Sequence, residues 1–180
     1  MTINPIRMRV NADGTVRGNG LSGPMTFALD GAPAGWYLKS FFIDGIDATR
    51  VPFDFGSTGR PYRDVEAVIS NATGTVTGRA VDRNGIGVND YAAIVFSVDS
   101  ADWFSASNRL ALARADGDGG FQVDGLPPGD YWIAAIAQPD VTVTNGEWRR
   151  SDALARLMPS AQRVTVTSHQ TVSTTLRLVR

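Results

Sequence analysis

Apolar and polar residues alternate along this chain in short runs, and each run stops at glycine, proline, asparagine or aspartate. Thr75–Val81, Leu110–Ala115 and Thr171–Leu178 follow this pattern. Successive side chains of a strand point to opposite faces, so a period of two predicts a sheet with one face buried and the other wet. Ala92–Val98 is instead almost continuously apolar, as expected of a strand buried on both faces or covered along one edge. With Gly120–Val123, Asp130–Ala137 and Arg163–Thr167, the second part of the chain holds seven short strands. Turn signals separate them, which predicts an antiparallel sandwich. Asp82-Arg83-Asn84-Gly85 closes the first hairpin, because Asn-Gly tolerates the positive φ angles such a turn needs. Arg163–Thr167 and Thr171–Leu178 are expected to form a final hairpin, with Val164, Val166, Val172, Leu176 and Leu178 facing inward.

Two segments depart from alternation. Trp148–Met158 spaces Trp148, Leu154, Leu157 and Met158 as an amphipathic helix that Pro159 stops. It reads as one short inserted helix near 148–158, because the second part is about 14 residues longer than the first between its signature tyrosine and its last strand. Asp99–Asn108 is irregular, carries Trp103 and Phe104, and has room for a helical turn.

A turn-rich signature occurs twice. Phe121-x-Val-Asp-Gly125-x-Pro127-x-Gly129-x-Tyr131 repeats Phe27-x-Leu-Asp-Gly31-x-Pro33-x-Gly35-x-Tyr37, 94 residues upstream. Each copy is a strand end, an Asp-Gly turn, a stiff Pro-x-Gly corner and an aromatic residue that opens the next strand. A period near one hundred residues indicates two small β domains rather than a solenoid. The boundaries expected are 1–72 and 73–180. Only 26 residues precede Phe27, against roughly 46 between the first strand of the second unit and Phe121, so the first unit is expected to be truncated at its N-terminus. Its remaining strands are Gly35–Ile43, Val51–Phe55 and Val65–Ser70. An unpaired sheet edge would follow, with a strand-swapped dimer as one way of covering it.

Composition excludes more than it selects. The 180 residues carry 17 basic and 18 acidic side chains, balanced within each unit, so neither half has the basic excess of a nucleic-acid binder. No apolar run is long enough for a membrane span, which argues against membrane insertion. There is no cysteine, which removes disulfides, thiolate metal sites and cysteine nucleophiles.

With these strands in place, Gly74-Thr-Val-Thr-Gly-Arg-Ala-Val-Asp-Arg-Asn-Gly85 and Asp118-Gly-Gly-Phe-Gln-Val-Asp-Gly-Leu-Pro-Pro-Gly-Asp-Tyr131 resemble the carboxypeptidase regulatory-like domains. Gly35-Trp-Tyr-Leu-Lys-Ser40, followed by Asp44-Gly-Ile-Asp47, resembles the tail of a preceding copy. The resemblance implies an all-β fold of two tandem Ig-like or prealbumin-like sandwiches. It also implies an extracytoplasmic, non-catalytic module of a larger bacterial protein, used as spacer, folding accessory or binding platform beside neighbouring domains of the same polypeptide.

The structural signature is expected at Phe121, Gly125, Leu126, Pro127, Gly129 and Tyr131, with Phe121, Leu126 and Tyr131 facing one core. A buried tyrosine hydroxyl there needs a partner. No catalytic residue, metal site or cofactor is expected. His169, the one histidine, falls in the turn Thr167-Ser-His-Gln170 and reads as solvated, although a small transthyretin-like hydrolase would have to use it. Asp116-Gly-Asp-Gly-Gly lacks the later glutamate of a calcium loop and reads as a hairpin turn. Lys39, the one lysine, sits on a mid-unit strand, which argues against an isopeptide cross-link. The positive hint is aromatic: Tyr91, Trp103, Phe104 and Arg109 are the binding candidates, for a glycan or protein ligand on the Trp103–Arg109 loop, with core packing as the plainer fate.

Overall fold

The computed structural model describes residues 9–10, 16–29, 33–57, 61–104, 106–137 and 146–179. Asp30 and Gly31 of the first signature copy lie outside the described residues. The chain divides into two compact units, Met1–Ser70 and Asn71–Arg180. Both are built from strands.

The first unit holds β1 (Arg9–Val10), β2 (Val16–Arg17), β3 (Pro24–Met25), β4 (Tyr37–Ile43), β5 (Ile46–Asp47), β6 (Phe53–Asp54) and β7 (Val65–Ser70). Its largest sheet is three-stranded in the order β5-β4-β7, while β1 pairs β2 and β3 pairs β6. Phe27, Phe41, Ile43, Phe53 and Phe55 form its core. Edge-on aromatic contacts dominate that core, with Phe53 and Phe55 both 5.2 Å from the Tyr62 ring. The anticipated strand Val51–Phe55 shrinks to two residues: Val51 is exposed and only Phe53 and Phe55 turn inward.

The second unit holds β8 (Gly74–Val81), β9 (Gly87–Val88), β10 (Tyr91–Ser97), β11 (Leu110–Arg114), β12 (Gly120–Leu126), β13 (Gly129–Ala137), β14 (Gln162–Val166) and β15 (Thr171–Val179). β12, β8 and β15 make one layer; β11, β10, β13 and β14 make the other. The fold is a β-sandwich. Its inner core comes from alternate residues: Val76 and Ala80, Tyr91, Ala93 and Val95, Phe121, Val123 and Leu126, Tyr131 and Ile133, Val164 and Val166, and Leu176. Phe121, Leu126 and Tyr131 do share this core.

One pairing differs from the sequence expectation. β14 and β15 are consecutive but do not form a hairpin. β14 runs antiparallel to β13, with Tyr131 opposite Val164, whereas β15 runs parallel to β8, with Thr171 opposite Thr75. The turn Thr167–Gln170 carries the chain from one layer to the other, held where the His169 N–H donates to the Thr73 carbonyl at 2.7 Å. The far end of β15 then reaches β13 at Ala135 and Ile136. Alternation showed which residues of β15 face inward, but that pattern is the same for a parallel and an antiparallel partner.

Every residue of β10 is buried, and the cause is a second apolar layer. Ala92, Ile94 and Phe96 point away from the inner core toward Trp148 and Leu154. These two come from a 3₁₀ turn at Glu147–Arg149 and an α-helix at Ser151–Leu157. A further 3₁₀ turn, Met158–Ser160, takes Pro159 near its start and ends the segment. The expected helix is therefore three short pieces, bound to the sandwich by buried Trp148 and Leu154 with half-buried Leu157 beside them. In both units the signature tyrosine pairs with a residue 33 positions later, Tyr37 with Ser70 and Tyr131 with Val164.

Candidate functional site

The binding candidates separate into two places. Tyr91 opens β10 and is 1% exposed. Its hydroxyl donates to the Gly119 carbonyl at 2.9 Å, and burial pushes that hydroxyl above its ordinary range. Trp103, Phe104 and Arg109 lie beyond the other end of β10, six residues or about 20 Å away at strand rise. Tyr91 therefore does not join the other three.

Around Trp103 the loop is tied down. Asp99 caps a 3₁₀ turn at Ser100–Asp102 by accepting the Ala101 N–H at 3.0 Å. The Trp103 indole N–H donates to the Ser97 carbonyl at 2.8 Å. Its ring meets Phe96 edge-on at 5.6 Å, closing one end of the outer apolar layer. Phe104 is half-buried.

Arg109 reaches from this loop into the Pro-Pro-Gly corner. Its Nη1 donates to the Pro128 carbonyl at 3.1 Å and to the Tyr131 hydroxyl at 3.3 Å. Its Nε lies 3.8 Å from the carboxylate of Asp102, which is buried. The Tyr131 hydroxyl donates in turn to the Pro127 carbonyl at 2.6 Å. A fully buried tyrosine thus finds the partners that burial demands. Gly129 is required at this corner: its φ is +152°, and a Cβ there would stand 2.6 Å from Arg109 Nη1. Gly125 adopts φ +74°, where β12 shifts register between Val123 and Leu126. The sequence marked Tyr131 as needing a partner. It did not mark Arg109 and Asp102 as supplying the cluster, since nothing in the spacing of a loop arginine shows which corner it reaches.

This cluster supports a direct expectation. Tyr131→Phe keeps the ring but strands the Pro127 carbonyl and one Arg109 N–H, and should cost about 1–3 kcal/mol of stability. Urea unfolding measures it; a loss under about 0.5 kcal/mol would show that the corner holds without its hydroxyl.

His169 is exposed in the β14–β15 turn at φ +59°. The Asp116 carboxylate accepts the N–H groups of Asp118 and Gly120 at 3.0 and 2.7 Å, the geometry of a hairpin turn closed by its own aspartate. Asp130 accepts from Thr165 at 2.6 Å and Arg163 at 2.8 Å; these two bonds hold its carboxyl below the usual carboxylate range. Lys39 is exposed on β4. Among the described residues no helix is long and apolar enough to cross a membrane.

Comparisons with known proteins give fold-level likeness alone. No protein-family profile matches the chain, and no curated protein matches it. Among solved structures, the Bacillus anthracis TIE protein aligns at 15% identity and a TM-score of 0.38, over 90% of this chain and 35% of its own. BcpA, the major pilin subunit of Bacillus cereus, aligns at 15% identity and 0.38, over 82% and 39%. GBS52, the minor pilin of Streptococcus agalactiae, aligns at 16% and 0.35, over 83% and 61%. The chain spans between about a third and three fifths of the length of these proteins. Scores and identities this low carry no function across.

Proposed function

We propose that this chain is a non-enzymatic structural and interaction module, built of two tandem carboxypeptidase regulatory-like units, of a larger extracytoplasmic protein. One observation carries the reading. The side chains that first suggested chemistry are engaged in holding turns and corners: Trp103 on the Ser97 carbonyl, Arg109 on Pro128 and Tyr131, and Asp116 on its own turn.

Two further facts support the details. Each signature tyrosine lies at or near the start of a strand that pairs antiparallel with a later strand of its own unit, at the same sequence separation. Each signature phenylalanine, Phe27 and Phe121, is buried in the core of its own unit. The interaction role is supported by apolar exposure in the first unit: Ile46 at 57%, Val51 at 55% and Ile69 at 44%, side chains that a neighbouring domain would cover. The extracytoplasmic placement rests on the resemblance of Gly74–Gly85 and Asp118–Tyr131 to that domain class.

Trp103→Ala tests the reading against the binding-loop alternative. As a structural residue, Trp103 loses a buried ring edge and an indole hydrogen bond, so unfolding stability should fall by about 2 kcal/mol. The melting temperature of the second unit should drop by roughly 10 °C. An unchanged melting temperature with loss of glycan or protein capture would instead make the loop a binding site. Turnover that disappears in His169→Ala would overturn the non-enzymatic reading.

A further inference from the structure

A cleft of about 450 Å³ opens beside β8 and β9, at the end of the sandwich away from Trp103. Arg79 of β8 and Thr175 of β15 stand opposite one another in register, both exposed and turned away from the core. Asn89, following β9, and Asp118, in the turn before β12, complete the polar part of the lining.

These four side chains differ from most polar groups near them. The carboxylates of Asp82, Asp116, Asp124 and Asp130 all accept hydrogen bonds within the fold. Among the described residues, the Arg79 guanidinium, the Asn89 amide, the Asp118 carboxylate and the Thr175 hydroxyl make no side-chain hydrogen bond or ion pair.

Glycines supply the second observation. Gly119, at the cleft floor, is demanded by the fold: its φ is +76° and a Cβ would meet the Val88 carbonyl at 2.9 Å. Gly87 and Gly117 also line the cleft, yet neither has a positive φ and a Cβ at either would touch nothing within 4 Å. Neither conformation nor packing calls for glycine there. What the two bare positions do is leave the cleft open.

We propose that this cleft binds a neutral oligosaccharide. A sugar hydroxyl both donates and accepts, and the lining offers a pure donor in Arg79, a pure acceptor in Asp118, and groups that do both in Asn89 and Thr175. Arg79 and Asp118 together give the lining no net charge, so it offers no cationic cluster for phosphates or polyanions. Val81, on the same outward face of β8 as Arg79, gives the C–H face of a sugar ring an apolar contact, while Val88 packs inward against the core. The volume lies within the range of small-molecule sites, about 300–1,000 Å³. The inference is independent of the module reading above and of Trp103.

The test is a titration of the ¹⁵N-labelled full chain with maltotriose, cellotriose and laminaritriose at millimolar concentration, following amide shifts. At least one trisaccharide should shift Arg79, Gly87, Gly117 and Thr175 saturably. Arg79→Gln should weaken that binding about tenfold or more. Gly117→Leu and Gly87→Val should abolish it while the melting temperature stays level or rises. The proposal is overturned if no trisaccharide binds, if the shifts map to Trp103–Arg109, or if both filled-glycine variants bind as before. Tighter binding of trigalacturonate than of every neutral probe would overturn it too. Loss of binding in Trp103→Ala with an unchanged melting temperature would refute the module reading as well, whereas silence from all three sugars would refute the cleft alone.

Discussion

Gly78→Ala should destabilise the second unit by about 3 kcal/mol or more, the upper end of what overpacking costs. Gly78 sits mid-strand in β8, between Thr174 of β15 and Phe121 of β12. A Cβ there would stand 2.1 Å from the Thr174 carbonyl oxygen and 2.8 Å from the Phe121 ring. The nearer obstacle is backbone, fixed by the parallel ladder, so no rotamer change relieves it. The Phe121 ring, which could move, is packed in the inner core beside Tyr91 at 6.4 Å. Restoring space requires β15 to shift against β8, the contact that closes one layer of the sandwich. Thermal unfolding should show a drop of roughly 10–20 °C in the second unit's transition. Gly87→Ala is the matched control, since a Cβ there meets nothing. It should be neutral, or raise stability by up to about 1 kcal/mol through the unfolded chain. Equal effects from the two would mean that the close approach of β8 and β15 is not what requires glycine at position 78.

That glycine illustrates how far the sequence could be read. Alternation located β8 and β15, and turn-bounded apolar runs located β7, β10 and β13, each within a residue or so, because both patterns are local properties of the chain. The Asn-Gly and Asp-Gly turns were legible for the same reason: the required φ angles belong to single residues, as at Gly85 with φ +79°. Partner choice was not legible. Whether β15 joins β14 in a hairpin or crosses to lie parallel to β8 depends on which open edge the folded layers present. Residues far away in sequence decide that. Gly78, read only as a residue of an alternating strand, carries the one clear trace: a glycine in mid-strand marks a close approach of another backbone.

Site residues divided along the same line. Tyr131 was expected to need a partner because burial of a hydroxyl is itself a requirement. Its actual partners, the Pro127 carbonyl and Arg109, depend on how a loop 22 residues upstream folds back over the corner. Tyr91 was grouped with Trp103 by nearness in sequence, and a fully extended strand then carried them to opposite ends. In the cleft, Arg79 is an outward residue of β8. Its convergence with Asn89, Asp118 and Thr175 required the register of three strands and a turn.

Trp148→Ala should cost about 3–5 kcal/mol, the range for removing a large core aromatic. Trp148 is 6% exposed although it lies outside the sandwich proper. It packs on Ile94, Phe96 and Ile136, the face of β10 and β13 turned away from the inner core, while Arg149 lies across its ring at 4.5 Å. The helix that follows is seven residues long and has no side-chain cap at its start, far below the length at which a helix holds itself together in water. Its order therefore comes from Trp148 and Leu154. With the indole removed, the segment Glu147–Ser160 should detach as a unit, leaving Ile94 and Phe96 in water. Hydrogen exchange should then show lost protection across residues 151–157, while β8 and β12 keep theirs. The variant should also bind dyes that recognise apolar surface. If instead all strands of the second unit lose protection together, the outer layer is part of the same cooperative unit as the inner core, and the helix is a structural wall rather than a cover.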